Sequence, residues 1–548
     1  MQFHVIKSFQ YTNSGIYYRI LGIIIKVSFS FYQLKEVKID VITNAVISGY
    51  LLLEEFTLKR KEKGLSALHL TMLAVGTVIG GSFFLGSSVA INSAGPSILI
   101  SYILGGVMVY FILYALSEMT VANPGSGSFR AFAAEAYGQG TGFVVGWVYW
   151  TGMVLAMSSE ATAISILVRE WIPGISTGWL GVGIIIGVTL LNLLGASKLS
   201  KLESGLSAVK VLAILAFILI AVLLISGLFP GTRTIGLGEL RTETFMPGGI
   251  KGLAGSMLIV MFAYAGFEII GLAASETENP QETVPKAINY TVILLVGFYI
   301  VSVAVLLPLI PTSAVNEDTS PMVAALNRYG ITWAGSVLNL VLITAILSTM
   351  LAAMFGLGRM IRSLADDRMA PSFLKDNREV PYRGILFSGL GMLAGQGLGL
   401  LLPRIYLFLI SAGGFALLFT YIIIMASHIR FRKKYGCPEH KCRLGGFPYS
   451  SLLVLIVLVI AVVSMPFIKG QSTGLIAGII MIVFYSICYA GMKLYRTFHI
   501  RDNTEKDGYG RNYRRGLSTE FSEELAGIIE RQQNEGLSEE EVKHDKIE

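Results

Sequence analysis

Apolar stretches about 20 residues long recur from residue 67 to residue 498, and shorter polar segments separate them. A stretch of that length crosses a hydrocarbon core about 30 Å thick. The strict alternation of apolar and polar residues that is typical of membrane strands is absent, so helices are expected to satisfy the backbone. The pattern therefore predicts an all-α integral membrane protein with twelve transmembrane helices.

The predicted spans divide the chain into three parts. They cover residues 67–91, 96–121, 141–168, 178–196, 203–227, 252–275, 287–310, 331–364, 384–402, 405–428, 448–468 and 473–497. We place a twelve-helix domain at residues 59–498 and a polar cytoplasmic tail at residues 499–548. Residues 1–58 are an N-terminal extension of uncertain order, either with one added interfacial or spanning helix or poorly ordered.

Charge is scarce and lies between the spans. Charged residues make up 14% of the chain and the mean hydropathy is +0.65, whereas soluble proteins carry about 25% charged residues. The net charge of +7 does not indicate a nucleic-acid partner, because 20 lysines and arginines fall on one side of the predicted topology and 7 on the other. By the positive-inside rule, both termini are cytoplasmic and the protein is a multi-pass protein of the cell membrane.

The first span contains an unusual cluster of glycines, in 74-AVGTVIGGSFFLG-86. Glycine permits a break in the helix, and in lipid a break is tolerated only where protein or a wet cavity surrounds it. An unwound segment from Gly76 to Ser82 would offer free amides to an anionic group. Alternatively, Gly76 and Gly80 have the spacing of a tight helix–helix contact.

A second interruption favours the first interpretation. The sixth span reads 260-VMFAYAGFEIIG-271, with Gly266 and the ionisable Glu268 near its middle. Spans one and six are five spans apart. Because five is an odd number, the second half starts on the opposite side of the membrane, and the two halves would be inverted repeats whose breaks meet at the midplane. One break would present amides to a carboxylate and the other carbonyls to an ammonium, which suits a zwitterion.

Several motifs in a fixed order carry a resemblance to a known family. They are 76-GTVIGGSFFLG-86, 93-SAGP-96, 117-SEM-119, 146-GWVYW-150, 262-FAYAGFEIIG-271 and 276-ETENPQETVPKAI-288. Together they resemble the bacterial amino acid permeases of the amino acid-polyamine-organocation superfamily, from about residue 63 to about residue 499. The resemblance implies a five-plus-five inverted repeat with broken helices one and six, followed by two further helices, and import of an amino acid with protons by alternating access.

The resemblance also implies a substrate site. Its carboxylate-binding turn falls on the backbone amides of Val78, Ile79, Gly80, Gly81 and Ser82. Its amino-group contacts fall on the carbonyls of Phe262, Ala263 and Ala265, with Gly266 allowing the bend and Tyr264 as a gate. Ser82 stands where the family commonly has glycine, so its hydroxyl would either add a contact or narrow the pocket there.

Ionisable side chains inside spans are candidates for proton coupling, because burial disfavours the charged form of an amine or a carboxyl group. The deepest are Glu160, Lys210 and Glu268. Either glutamate is a proton carrier or part of a structural network. Lys210 either snorkels to the interface or resembles the lysine that takes the place of a sodium ion in several superfamily members, with Ser348 and Thr349 as hydroxyl partners.

Other kinds of function are less well supported. Neither a nucleophile–base arrangement nor a phosphate-binding loop stands out, so we expect neither an enzyme nor a cofactor. The segment 437-CPEHKC-442 offers three ligands where zinc sites usually need four, so no metal is expected.

For Glu118, at the end of span two, loop capping and a functional role stay open. The sequence predicts a proton symporter for a neutral amino acid, with an exchanger or a non-transporting sensor of the same fold as alternatives.

Overall fold

Helices make up nearly all the regular structure of the residues that the structure describes. The computed structural model describes residues 66–122, 129–229, 233–272, 277, 279–376, 378, 380–400, 405–438, 442–468 and 470–499. Within these ranges all regular structure is helical apart from a single bridge residue at Thr277, and turns and loops connect the helices, which confirms the all-α prediction. The predicted extension at 1–58 and nearly all of the predicted tail at 499–548 lie outside the described residues.

Seventeen α-helices follow one another in the described part of the chain. They are α1 (Ala67–Val78), α2 (Gly81–Phe84), α3 (Gly86–Ala94), α4 (Ile98–Ala122), α5 (Phe129–Tyr137), α6 (Gln139–Arg169), α7 (Thr177–Asn192), α8 (Ala196–Ser226), α9 (Gly249–Ala263), α10 (Ile269–Leu272), α11 (Pro280–Leu306), α12 (Pro321–Arg328), α13 (Thr332–Asp366), α14 (Tyr382–Leu400), α15 (Ile405–Tyr435), α16 (Tyr449–Ser464) and α17 (Ser472–His499). Short 3₁₀ turns occupy Gly95–Ser97, Gly238–Arg241, Thr312–Ala314, Ser372–Leu374 and Met465–Phe467.

Every predicted span overlaps one of these helices or a short series of them. In the described residues, eight helical stretches are long and apolar enough to cross a membrane, judged by length and composition. Three further apolar helices, α1, α7 and α9, are shorter, at 12, 16 and 15 residues. The membrane class is therefore supported, while the number of twelve crossings stays a prediction.

Two of the predicted spans are broken. In the first span, α1 ends at Val78, Ile79 and Gly80 are extended, and the chain resumes as the single turn α2. In the sixth span, α9 ends at Ala263 and α10 begins only at Ile269. Gly266, between them, has a φ of +103°, a conformation that favours glycine. The glycines at both positions thus permit a change of chain direction.

The helices around the breaks form the core. α6 packs along α15 and against α13, while α8 packs against α13, and α1 packs against α11. Small residues allow the closest of these approaches, since a Cβ atom on Gly152 of α6 would overlap the Ala416 side chain of α15. On the outside, α17 exposes apolar side chains such as Ile480 and Ile487, as expected for a surface facing lipid.

Candidate substrate site at the two helix breaks

The first break presents two backbone amides to a buried carboxylate. The amide of Gly81 donates to Oε2 of Glu160 at 2.8 Å, and the amide of Ser82 donates to Oε1 at 3.1 Å. Glu160 is 3% exposed and projects from the middle of α6. Of the predicted carboxylate-binding turn, Gly81 and Ser82 are therefore the residues whose amides hold an anion, and in this structure that anion belongs to the protein.

Gly81 is required by this arrangement. A Cβ atom at Gly81 would overlap Oε2 of Glu160 and lie 3.0 Å from Cδ1 of Ile346. The neighbouring Gly80 is less constrained, because its Cβ would lie 3.4 Å from the Thr349 side chain. Only a residue without a side chain at Gly81 lets the carboxylate approach the amides, which is one physical reason for the glycines in this segment.

Lys210 ties the first break to α8 and α13. Its ammonium group donates to the carbonyl of Gly76 and to the hydroxyl of Thr349, both at 2.8 Å. Thr349 in turn donates to the carbonyl of Ile79 at 3.3 Å. Lys210 has no exposed surface, so its ammonium group does not snorkel away from the break. The charge of Lys210 also acts on Glu160.

Ser348, the adjacent residue on α13, does not share this role. Its hydroxyl is buried and has no hydrogen-bond partner among the described residues. Of the two predicted hydroxyl partners for Lys210, Thr349 is therefore the one that the structure places in contact. Residues next to each other on a helix point about 100° apart, so the sequence alone did not distinguish them.

The second break brings several backbone groups together. Within it, the carbonyl of Phe262 accepts from the amide of Ala265 at 3.1 Å. The carbonyl of Ala263 accepts from the hydroxyl of Tyr299 at 3.0 Å. The two breaks meet at Gly266, whose carbonyl lies 3.4 Å from the donating hydroxyl of Thr77. The proposed ammonium contacts and the proposed carboxylate contacts are therefore parts of neighbouring segments.

Tyr264, the predicted gate, packs against α4 in this structure. Its side chain has no exposed surface, and its hydroxyl donates to the carbonyl of Tyr102 at 3.1 Å. The ring is thereby held against α4. A gating role stays a prediction that needs another conformation in which this ring is released.

Glu268 is held by three donors at the second break. Its Oε1 accepts from the hydroxyl of Tyr149 at 3.1 Å, and its Oε2 accepts from the amide of Gly266 at 3.0 Å and the hydroxyl of Tyr421 at 3.3 Å. It therefore links the break to α6 and α15. The sequence analysis did not single out the tyrosines, because a tyrosine in an apolar span gives no sign of which neighbour its hydroxyl will meet.

Glu118 lies outside this site, at the far end of α4. Its carboxylate accepts from the amide of Leu444 at 2.6 Å and from Nη2 of Arg432 at 2.8 Å, and Nε2 of His428 lies 3.3 Å from it. Nη2 of Arg432 also donates to the carbonyl of Leu444 at 3.1 Å. Of the two roles left open for Glu118, these contacts are those of loop capping.

No metal centre is found in the part of the chain that the structure describes, where no group of three or more His, Cys, Asp and Glu side chains could hold an ion. Cys437 is exposed and Cys442 is buried. His440, the third member of the weak motif noted above, lies outside the described residues.

Comparison with known proteins identifies the family. The sequence profile of amino acid permeases matches residues 69–505, which is most of the chain. The chain belongs to the amino acid permease family. Permeases similar to it include the gamma-aminobutyric acid permease of Bacillus subtilis (strain 168), 33% identical over 435 residues that make up 77% of this chain and 93% of the relative.

Two further permeases are similar to this chain over a comparable share of its length. The gamma-aminobutyric acid permease of Escherichia coli (strain K12) is 34% identical over 433 residues, 77% of this chain and 93% of its own. The amino-acid permease AapA of Bacillus subtilis (strain 168) is 32% identical over 438 residues, 79% of this chain and 95% of its own. These matches confirm the resemblance to the amino acid-polyamine-organocation superfamily. The permease is a multi-pass membrane protein, and its family is one of amino acid transporters.

Proposed function

We propose that this permease imports an amino acid with a neutral side chain together with a proton, by alternating access. The observation that carries the proposal is the position of the Glu160 carboxylate on the amides of Gly81 and Ser82. A substrate carboxylate binding at the first break needs the same two donors. Glu160 and the substrate therefore compete for one anion site.

This competition supplies a mechanism for coupling. A protonated carboxyl group is a weaker acceptor than a carboxylate, so a proton on Glu160 weakens its hold on the two amides. The substrate carboxylate then binds more tightly to the protonated form of the protein. By linkage, bound substrate favours the proton to the same extent, so that one proton and one amino acid load together.

Lys210 supports a cycle without sodium. Its ammonium group is buried at the first break and bonded to Gly76 and Thr349. A fixed cation at this point takes the place that a sodium ion has in related transporters, and its charge acts on Glu160. We therefore assign the coupling ion as a proton.

The second break is proposed to bind the amino group. Ala263 is the last residue of α9, and carbonyls at the end of a helix lack partners within it. They also carry the partial negative charge of the helix dipole, which favours a cation. The carbonyls of Phe262, Ala263 and Ala265 would hold the ammonium, and Gly266 allows the chain to bend around it.

A neutral side chain fits the charges at the site. Lys210 is already bonded to two protein oxygens, so it is a poor partner for a second substrate carboxylate. Two of the similar permeases are named for gamma-aminobutyric acid, a zwitterion without a charged side chain. Gamma-aminobutyrate and L-alanine are therefore the first substrates to test.

Glu268 is the second candidate for the coupled proton. It has three donors where Glu160 has two, and two of the three are tyrosine hydroxyls from α6 and α15. Those contacts favour a role in holding the second break to its neighbours.

The exposed basic residues Arg430, Lys433 and Lys434 at the end of α15 support the proposed orientation, with both termini on the cytoplasmic side of the cell membrane.

Reconstitution in proteoliposomes tests the proposal. Uptake of labelled gamma-aminobutyrate and L-alanine is measured in sodium-free buffer with a proton gradient, with and without a protonophore, and counterflow is measured without a gradient. A panel of unlabelled amino acids in the same assay ranks substrates by competition. Glu160→Gln should abolish uphill accumulation and leave counterflow intact, because glutamine cannot exchange a proton.

Glu170→Gln is the matched control. Glu170 is the residue after the end of α6 and is exposed, so this variant should accumulate substrate like the wild type. Accumulation that needs sodium and ignores the protonophore would reject proton symport. Counterflow without any uphill accumulation by the wild type would indicate an exchanger, and binding without counterflow would indicate a sensor.

A further inference from the structure

Four aromatic side chains form a buried cluster beside the two breaks. Phe83 comes from α2, Tyr102 from α4, Tyr264 from the second break and Tyr299 from α11, and all four are fully buried. The ring of Tyr299 lies 5.7 Å from that of Tyr102 and 5.1 Å from that of Tyr264, measured between centroids. Tyr299 is therefore in contact with every other member of the cluster.

Tyr299 contacts both breaks at once. Its ring stacks on Phe83 of the first break, with centroids 3.9 Å apart and the planes at 8°. Its hydroxyl donates to the carbonyl of Ala263 at the second break, at 3.0 Å. A single side chain from α11 thus links the segment proposed to hold the substrate carboxylate with the segment proposed to hold its amino group.

We propose that Tyr299 is a positioning residue that orients the Ala263 carbonyl for the substrate ammonium. A carbonyl oxygen has two lone pairs, and the Tyr299 hydroxyl uses one of them. The other remains for the amino group, and the bond from Tyr299 restricts the rotation of the peptide that carries it. This inference rests on the proposed function, since it concerns the ammonium contacts of that site.

The peptide after Ala263 is held from the other side as well. The Tyr264 hydroxyl is bonded to the carbonyl of Tyr102, and a Cβ atom at Gly105 would lie 3.1 Å from Cε2 of Tyr264. The Tyr264 ring is therefore packed closely against α4. Tyr264 is therefore fixed by its contacts with α4. The hydrogen bond from Tyr299 on α11 then sets the remaining orientation of the Ala263 carbonyl.

Removing one hydroxyl tests the assignment. Tyr299→Phe keeps the ring and its stacking on Phe83 but removes the hydrogen bond to Ala263. Tyr102→Phe is the matched control, because the Tyr102 hydroxyl is buried in the same cluster and has no hydrogen-bond partner among the described residues. Inhibition of labelled uptake is measured with gamma-aminobutyrate against butyrate, and with L-alanine against propionate.

Each pair of inhibitors differs in the amino group alone. In Tyr299→Phe we expect the preference for the amino acid over its deaminated analogue to fall by about three- to tenfold, the range of a lost hydrogen bond, with the maximal rate changed less than about twofold. Tyr102→Phe should keep the wild-type preference. A merely structural role would weaken both members of a pair equally.

The outcomes separate the two proposals. If the wild type prefers the amino acids and Tyr299→Phe keeps that preference, or weakens both members of a pair alike, the positioning role is overturned and the proposed function stands. If the wild type neither transports nor is inhibited by gamma-aminobutyrate or L-alanine, the proposed function fails and this inference fails with it.

Discussion

Glu118 and Glu160 are both buried carboxylates inside helices, yet their surroundings differ. Glu118 faces the guanidinium of Arg432, the imidazole of His428 and the amide of Leu444. Glu160 is bonded to two backbone amides at a helix break, and the nearby Lys210 is bonded elsewhere. Burial alone therefore does not indicate the role of a charged residue in a membrane protein. Its partners do.

The partners determine whether the charge can be removed. A carboxylate matched by a buried guanidinium is part of a fixed ion pair, because losing one partner leaves the other uncompensated. A carboxylate held by amides can be replaced by another anion that uses the same donors. Glu118 thus stabilises one arrangement of α4, α15 and the loop before α16, whereas Glu160 occupies the site that we propose for the substrate carboxylate.

The largest effect on stability is expected from breaking the ion pair at Glu118. Glu118→Ala leaves Arg432 buried without its counter-charge and should lower the free energy of unfolding by about 3–5 kcal/mol. Thermal unfolding of the purified permease measures this loss. Glu135→Ala, which removes an exposed carboxylate that pairs with Lys434, should have little effect. Similar stability losses in the two variants would contradict the distinction drawn here.

The reactivity of Cys442 reports locally on the loss of the ion pair at Glu118. Burial raises the pKa of the Cys442 thiol to about 12, so in the wild type it is protonated at neutral pH and reacts slowly. In Glu118→Ala the loop that carries Cys442 is no longer held through Leu444, and labelling by a thiol reagent should accelerate. The exposed Cys437 serves as an internal standard for the reaction.

The second prediction concerns the site around Glu160. Gly81→Ala places a Cβ atom where the Glu160 carboxylate lies, so the carboxylate must move away from the amides of Gly81 and Ser82. A substrate carboxylate would meet the same Cβ atom, and because hydrogen bonds to a charged group contribute about 1.5–3 kcal/mol each, losing both donors should lower initial uptake at least about a hundredfold. Gly183→Ala on α7 is the control, because no described atom lies within 4 Å of its Cβ position. Equal uptake in the two variants would mean that the substrate carboxylate does not bind the amides of Gly81 and Ser82.

The smallest of the three effects is expected at α13. Thr349→Val removes the hydroxyl that accepts from Lys210 and donates to Ile79, and should lower the free energy of unfolding by about 1–2 kcal/mol. Ser348→Ala removes a neighbouring hydroxyl that has no hydrogen-bond partner among the described residues, so stability should change little. If Ser348→Ala were the more harmful change, the assignment of the Lys210 contacts would be wrong.

Much of the fold followed from local patterns. The lengths of the apolar runs predicted the helices, and the glycines marked both breaks, because they permit backbone conformations closed to other residues. The six motifs between Gly76 and Ile288, taken together and in order, were sufficient to recognise the family. These inferences needed only neighbours along the chain.

The contacts of the site required the tertiary structure. Gly81 and Glu160 are 79 positions apart, and the sequence did not indicate that the carboxylate would lie on the amides proposed for a substrate. The packing of α6 against the first break brought them together, and the rotation of α13 about its axis selected Thr349 over Ser348. The sequence by itself determined which groups were available and where the helices had to break, because those properties are local. Only the packing of distant helices decided which group each carboxylate, amine and hydroxyl would meet.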